Sequence, residues 1–145
     1  MSIEKFEDII AWQLARELSN RIHSEIKNCR DWSYKDQIER ACMSIMNNIA
    51  EGFDRKGDKE FARFLIISKG SCAEVRSLLY LGEDREYISK ELAEELRNLS
   101  LRINKVLAGF ITSLRTREQL GQLKPKPGPC TQDHVPICIA TLENP

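Results

Sequence analysis

The chain has 145 residues, and its 22 basic side chains are balanced by 22 acidic ones, for a sequence pI near 6.7. That balance excludes the strongly basic surface on which bulk nucleic-acid or membrane affinity usually rests, but it leaves room for a local basic patch. A chain of this length makes one domain that buries roughly 70% of the surface exposed when unfolded, enough for a core without staples.

The first predicted helix runs from about Ile3 to about Cys29. Phe6, Ile10, Leu14, Leu18, Ile22 and Ile26 recur every four residues, with Ile9, Trp12 and Ala15 widening the stripe. A row at strict fours drifts around a helix of 3.6 residues per turn, so a broad, slowly rotating face should be buried. Asn28 to Ser33 break the pattern, and Ser33 followed by Asp36 reads as a cap for the next helix.

The second helix, about Tyr34 to Phe53, has two faces. Ile38, Cys42, Ile45, Ile49 and Phe53 form an apolar row, while Arg40, Ser44, Asn48, Glu51 and Arg55 form a polar stripe directed toward the middle of the structure. Gly52 and Asp54 to Asp58 end this helix, and Asp58 is expected to cap the third. There Phe61, Leu65, Ser68, Cys72, Val75 and Leu79 repeat at coiled-coil spacing. Gly70 lies within a block of small residues, Gly70 to Ala73. A mid-helix glycine costs about 1 kcal/mol against alanine, so a tight helix crossing is predicted at Gly70.

Gly82 reads as a further break, and Ser89 as the N-cap of a fourth helix reaching about Glu118. Its row is Leu92, Leu96, Leu99, Ile103, Val106 and Phe110, extended by Leu114. Four long helices with short links predict an all-α fold, an antiparallel up-down-up-down four-helix bundle over residues 1–120. Residues 121–145, opening on Gly121 and Lys124-Pro-Lys-Pro-Gly-Pro129, lack helical period and apolar mass and read as a flexible C-terminal tail. Within it, Val135 to Ala140 offers a short apolar segment able to form a strand or dock in a groove.

No catalytic signature emerges. His23 and His134 lie far apart in the chain without a nucleophile motif, and Gly52 to Gly57 lacks the Lys-Ser/Thr ending of a phosphate loop. Di-iron bundles need inward Glu-x-x-His pairs, which are missing. Cys130, His134 and Cys138 could supply three soft ligands to zinc, but their spacing fits no established pattern and a fourth is missing. Of the five cysteines, Cys42 and Cys72 sit on apolar rows and read as reduced, buried thiols. Neither an enzyme activity nor a cofactor or metal is expected. No run of 18 apolar residues is present, so no membrane partner is expected. The opening residues lack the layout of a secretory signal, so a cytoplasmic protein is expected.

Two groups of residues are candidates for binding. Arg40, Asn48, Glu51 and Glu74 read either as a satisfied polar face or as the lining of an interface or cleft. The second group follows from local charge. Asp84 to Glu95 carries net −3 and Leu96 to Glu118 net +4, an asymmetry that mostly complements the dipole of the fourth helix. In an up-down bundle the end of that helix lies beside the link between the second and third. Arg115 and Arg117 thereby approach Arg55, Lys56, Lys59 and Arg63, a candidate phosphate-contacting surface diluted by Asp54, Asp58 and Glu60.

Three passages resemble the 23S rRNA intervening-sequence protein family. They are Trp12-Gln-Leu-Ala-Arg-Glu-Leu18, Gln37-Ile-Glu-Arg-Ala41 with Ser44, Ile45 and Asn47-Asn-Ile-Ala-Glu-Gly-Phe53, and Phe61-Ala-Arg-Phe-Leu-Ile-Ile-Ser-Lys-Gly-Ser-Cys-Ala-Glu74. The resemblance covers about residues 3–118. It implies a bacterial four-helix bundle assembling into a ring, a homopentamer, without enzymatic activity. Members are encoded in insertions within 23S rRNA genes or stand alone, and a related branch assists the reverse transcriptases of diversity-generating retroelements. The functional expectation is therefore a non-enzymatic oligomer that contacts structured, rRNA-associated RNA or scaffolds an RNA–protein complex. The alternative is a module that docks a protein such as a reverse transcriptase without touching nucleic acid. Trp12, Met43, Met46 and Tyr80, left over when the four rows are packed, are candidate subunit-interface positions.

Overall fold

A computed structural model describes residues 2–122. A short 3-10 turn, Phe6–Asp8, precedes four helices: α1 (Ile10–Ile26), α2 (Trp32–Asp54), α3 (Asp58–Asp84) and α4 (Lys90–Gln122). Each helix packs on its neighbours in chain order and α1 closes on α4, the arrangement of an antiparallel four-helix bundle. Among the described residues no helix is long and apolar enough to cross a membrane. The tail from residue 123 onward, including Val135 to Ala140 and the Cys130, His134 and Cys138 set, lies outside the described residues.

The apolar rows meet in one core. Leu18, Ile22, Ile38, Ile45, Ile49, Leu65, Leu79, Leu96, Ile103 and Phe110 are fully buried. Phe110 packs edge-on against Phe61, with ring centroids 4.9 Å apart, and Phe61 meets Phe53 in the same manner at 6.0 Å. Two buried serines stitch the helices together. Ser68 donates to the carbonyl of Ile45 at 2.9 Å and Ser100 to that of Cys72 at 3.0 Å, so each hydroxyl enters the core with its hydrogen bond satisfied. Cys42 and Cys72 are buried and free, as their rows predict, and burial pushes both thiols up to about 12.

Several local expectations are corrected. The first helix begins only at Ile10. Ile9 is extended, with φ −75° and ψ 119°, and enters the core while Phe6 turns onto Trp12 with centroids 5.2 Å apart. A strict four-residue row drifts off the buried side, and the break at Ile9 resets it. The N-cap of α2 is Asp31, whose carboxylate accepts from the Tyr34 N–H at 3.1 Å, in place of Ser33. Gly57, at φ 100°, precedes α3, so Asp58 lies inside the helix's first turn and not at its cap.

The glycine predictions fail instructively. Gly70 faces nothing within 4 Å, whereas Gly52 and Gly82 sit at the close crossings. A Cβ on Gly52 would lie 2.6 Å from the Phe64 Cβ, and one on Gly82 would overlap the Tyr34 hydroxyl, which instead donates to the Leu78 carbonyl at 2.8 Å. Gly82 therefore continues α3 and does not end it. Ser89 does cap α4, accepting from the Leu92 N–H at 3.3 Å.

Candidate nucleic-acid interface

The α2–α3 end of the bundle gathers the basic residues for reasons of local folding. Arg55 follows directly on α2, where its backbone N–H bonds to the Gly52 carbonyl, and Gly57 turns the chain into α3. Only Lys56 separates Arg55 from that turn's glycine, and it is exposed on the link. The end of α4 is tied to this link by Arg117, which grips Asp58 through two N–H donors with both side chains mostly out of solvent. The antiparallel topology thus places α4's last turns beside the link, as the charge pattern suggests.

The six predicted cations divide into two sets. Arg55 bonds Glu51 at 2.9 Å and stacks over the Phe64 ring, 5.3 Å from its centroid. Arg63 bonds Glu60 at 3.0 Å, and Arg117 holds Asp58. Lys56, Lys59 and Arg115 are exposed, and no ion-pair partner for them occurs among the described residues. The acids that dilute the cluster in the sequence are therefore partly neutralised in place: Glu60 by Arg63 and Asp58 by Arg117. Three long, solvated cations, Lys56, Lys59 and Arg115, are left at one end of the molecule.

The polar stripe of α2 lies along the α2–α3 groove and does not enter the middle of the bundle. Asn48 donates to the Ser44 carbonyl at 2.7 Å and the Ser44 hydroxyl at 3.0 Å, and Ser44 meets Ser71 of α3 at 2.8 Å. Glu74 accepts from Gln37. Arg40 pairs with Asp36 at 2.8 Å, and Arg40 and Glu51 are both exposed. Glu74 thus joins α3 to α2 and Asn48 bonds within α2 to Ser44, while Arg40 and Glu51 face solvent, so the four do not meet in one pocket. The stripe lies about a third of a turn from the apolar row, which places it at the groove's rim.

The opposite end of the bundle is organised by Asp31, which sequence reading left inside a link. Besides capping α2, it accepts from the Tyr87 hydroxyl at 2.8 Å and from Arg85 at 3.2 Å. The Tyr34 N–H, the Tyr87 hydroxyl and then the Arg85 charge hold its carboxyl below the usual range, against the opposing effect of burial. Arg97 is marked in the sequence only by its charge. It donates to Glu83 at 2.6 Å and lies 4.1 Å from the Tyr80 ring centroid. Only the backbone path brings these partners together, so no sequence spacing marks them.

The outer face of α3 carries a second period that the sequence makes legible. Lys59, Arg63, Ile66, Gly70, Ala73, Ser77 and Tyr80 step by 4, 3, 4, 3, 4 and 3, a second row offset from the buried one. Ile66, Ile67 and Tyr80 are 44%, 51% and 59% exposed. Met43 is 48% exposed, while Trp12 and Met46 pack partly against the core.

Four helices with interlocked seams define the class, an all-α four-helix-bundle protein. Within the described residues no group of three or more His, Cys, Asp or Glu is placed to hold a metal ion. A profile of the 23S rRNA-intervening sequence protein family matches residues 7–109, and the chain belongs to that family. The fold is similar to the crystal structure of a protein of unknown function from the S23 ribosomal protein family of Bacteroides thetaiotaomicron. The TM-score is 0.66 at 28% identity, over 70% of this chain and 98% of that one. No curated protein matches the chain.

Proposed function

We propose that the chain is a non-enzymatic, self-associating bundle that contacts structured RNA through its α2–α3 end. The observation that carries this reading is the set Lys56, Lys59 and Arg115, exposed cations without acidic partners beside a link whose other cations are engaged. The family's description as 23S rRNA-intervening sequence protein, and the S23 ribosomal protein family of the structural neighbour, support rRNA as the target. The neutral overall charge agrees with a local contact and argues against general polyanion binding. The test is filter binding of 23S rRNA fragments by wild type and by K56Q/K59Q/R115Q at two salt concentrations. The variant should bind more weakly at low salt. Equal affinity for the two proteins at both salts removes the site assignment.

A second reading, docking of a protein partner without nucleic-acid contact, is favoured by a different surface. The outer row of α3 exposes Ile66 and Tyr80 around a bare Gly70, with Ile67 beside it, and a helix laid along this face meets apolar side chains and an accessible backbone. The same row suits self-association into the ring that the family resemblance implies. Light scattering of wild type and I66E/I67E distinguishes the uses. Dissociation of an oligomer assigns the row to self-contact, and an unchanged mass leaves it to a partner.

A further inference from the structure

The end of the bundle opposite the proposed phosphate surface carries an arrangement that neither the fold nor that surface requires. Trp32, the first residue of α2, is 75% exposed, more than any other large apolar side chain among the described residues. Its surroundings are cationic. The Lys35 ammonium lies 5.3 Å from the indole centroid and also donates to the Lys27 carbonyl at 3.0 Å. Lys27 and Arg30 are exposed and have no ion-pair partner among the described residues. Asp31, the one acid between residues 27 and 35, is engaged by the Tyr34 N–H, Tyr87 and Arg85. Asp84, at the end of α3, and Glu86, on the link that follows, are exposed and form no ion pair with Lys27, Arg30 or Lys35 among the described residues.

The turn that carries the indole is held in place. Asp31 fixes the first turn of α2, and the buried Tyr34 anchors that turn to the Leu78 carbonyl. Trp32 is therefore an exposed aromatic surface on an anchored turn, with the Lys35 ammonium over its ring and Lys27 and Arg30 on the adjoining link. A membrane anchor would need a wider apolar face, but Ile26 and Tyr34 are buried and Cys29 is half-buried. Duplex RNA keeps its bases stacked within the helix, whereas an unpaired base offers a face to an aromatic ring and brings phosphates on either side.

We propose that this tip binds an unpaired nucleotide of RNA, with the base stacked on Trp32 and the flanking phosphates met by Lys27 and Arg30. The proposal rests on the RNA reading above and adds a second contact, separated from the first by the length of α2, 23 residues. At 1.5 Å per residue that is about 35 Å. A structured RNA with a loop or single-stranded arm could engage both ends of one subunit.

The chain contains two tryptophans, so W12F leaves Trp32 as the only indole, whose emission is read apart from that of the tyrosines by exciting at the red edge of the absorption band. Titrating this variant with a ten-nucleotide oligouridylate should quench the emission saturably. K27Q/R30Q in the same background should weaken binding about ten-fold, while K56Q/K59Q/R115Q should leave the quenching unchanged. A labelled oligouridylate, followed by anisotropy, tests wild type against W32A independently of W12F. W32A should lose about ten-fold in affinity, and far-UV circular dichroism verifies its helix content. If rRNA fragments bind by filter assay but oligouridylate neither quenches Trp32 nor distinguishes W32A, this inference fails and the phosphate surface stands. A blue shift with phosphatidylserine vesicles and no response to oligouridylate likewise overturns it. If neither RNA binds, both readings fall together.

Discussion

Arg117, near the end of α4, clasps Asp58 in the first turn of α3 through two guanidinium donors. The side chains are 25% and 19% exposed, which distinguishes this pair from the surface ion pairs around it. Paired charges at that depth depend on each other, because removing one leaves the other partly desolvated. R117A should therefore destabilise the chain by about 2 kcal/mol in urea unfolding. K56Q/K59Q/R115Q should stay within about 0.5 kcal/mol of wild type, since exposed positions rarely matter more.

The glycines divide by what a methyl group would meet. At Gly52 the added Cβ would lie 2.6 Å from the Phe64 Cβ and 2.9 Å from Phe61, so G52A should cost about 1–3 kcal/mol through overpacking. At Gly70 nothing lies within 4 Å, and G70A should stabilise the monomeric chain by about 0.5–1 kcal/mol through helix propensity. Thermal unfolding at low protein concentration measures both. The same G70A change should weaken self-association if the outer row of α3 is the contact between copies.

Asp31 makes the cap of α2 sensitive to acid. Its carboxyl is lowered from 3.8, first by the Tyr34 N–H and then by the Tyr87 hydroxyl, so the native state holds the proton less tightly than the unfolded chain. The contribution is fully present above the unfolded value and is lost as pH falls through the native one. In urea unfolding the stability difference between wild type and D31N should be constant from neutral pH down to about pH 5 and should shrink below about pH 4. A difference that grows on acidification contradicts this assignment.

Cys42 and Cys72 should be chemically silent. Both are buried, and desolvation pushes both thiols up to about 12, so almost no thiolate exists at neutral pH. In C29S/C130S/C138S the two remaining thiols should react with a disulfide reagent only once the chain is denatured.

How far the sequence could be read depended on whether an interaction follows a period. The rows through Leu65, Cys72 and Leu79 and through Leu96, Ile103 and Phe110 recur every 3.5 residues, and each lands in the core. Gly70 misled because helix propensity registers only the cost of a glycine, while Gly52 and Gly82 lie where aromatic side chains of a neighbouring helix come close. Asp31 was hidden because Tyr87 and Arg85 reach it from a link more than 50 residues away. The basic end was half legible. Topology gave its location, but local pairing decided which cations remain unengaged, and pairing depends on rotamers that no spacing encodes.

The reading depends most on whether the cations of the α2–α3 end meet phosphate, and the slope of log K against log salt for an rRNA fragment measures that directly. Each neutralised phosphate contributes about −0.7 to −0.9 to this slope. K56Q/K59Q/R115Q, lacking three cations, should bind with a slope shallower than wild type by about 2–3. Two proteins with the same slope and the same affinity would contradict the account.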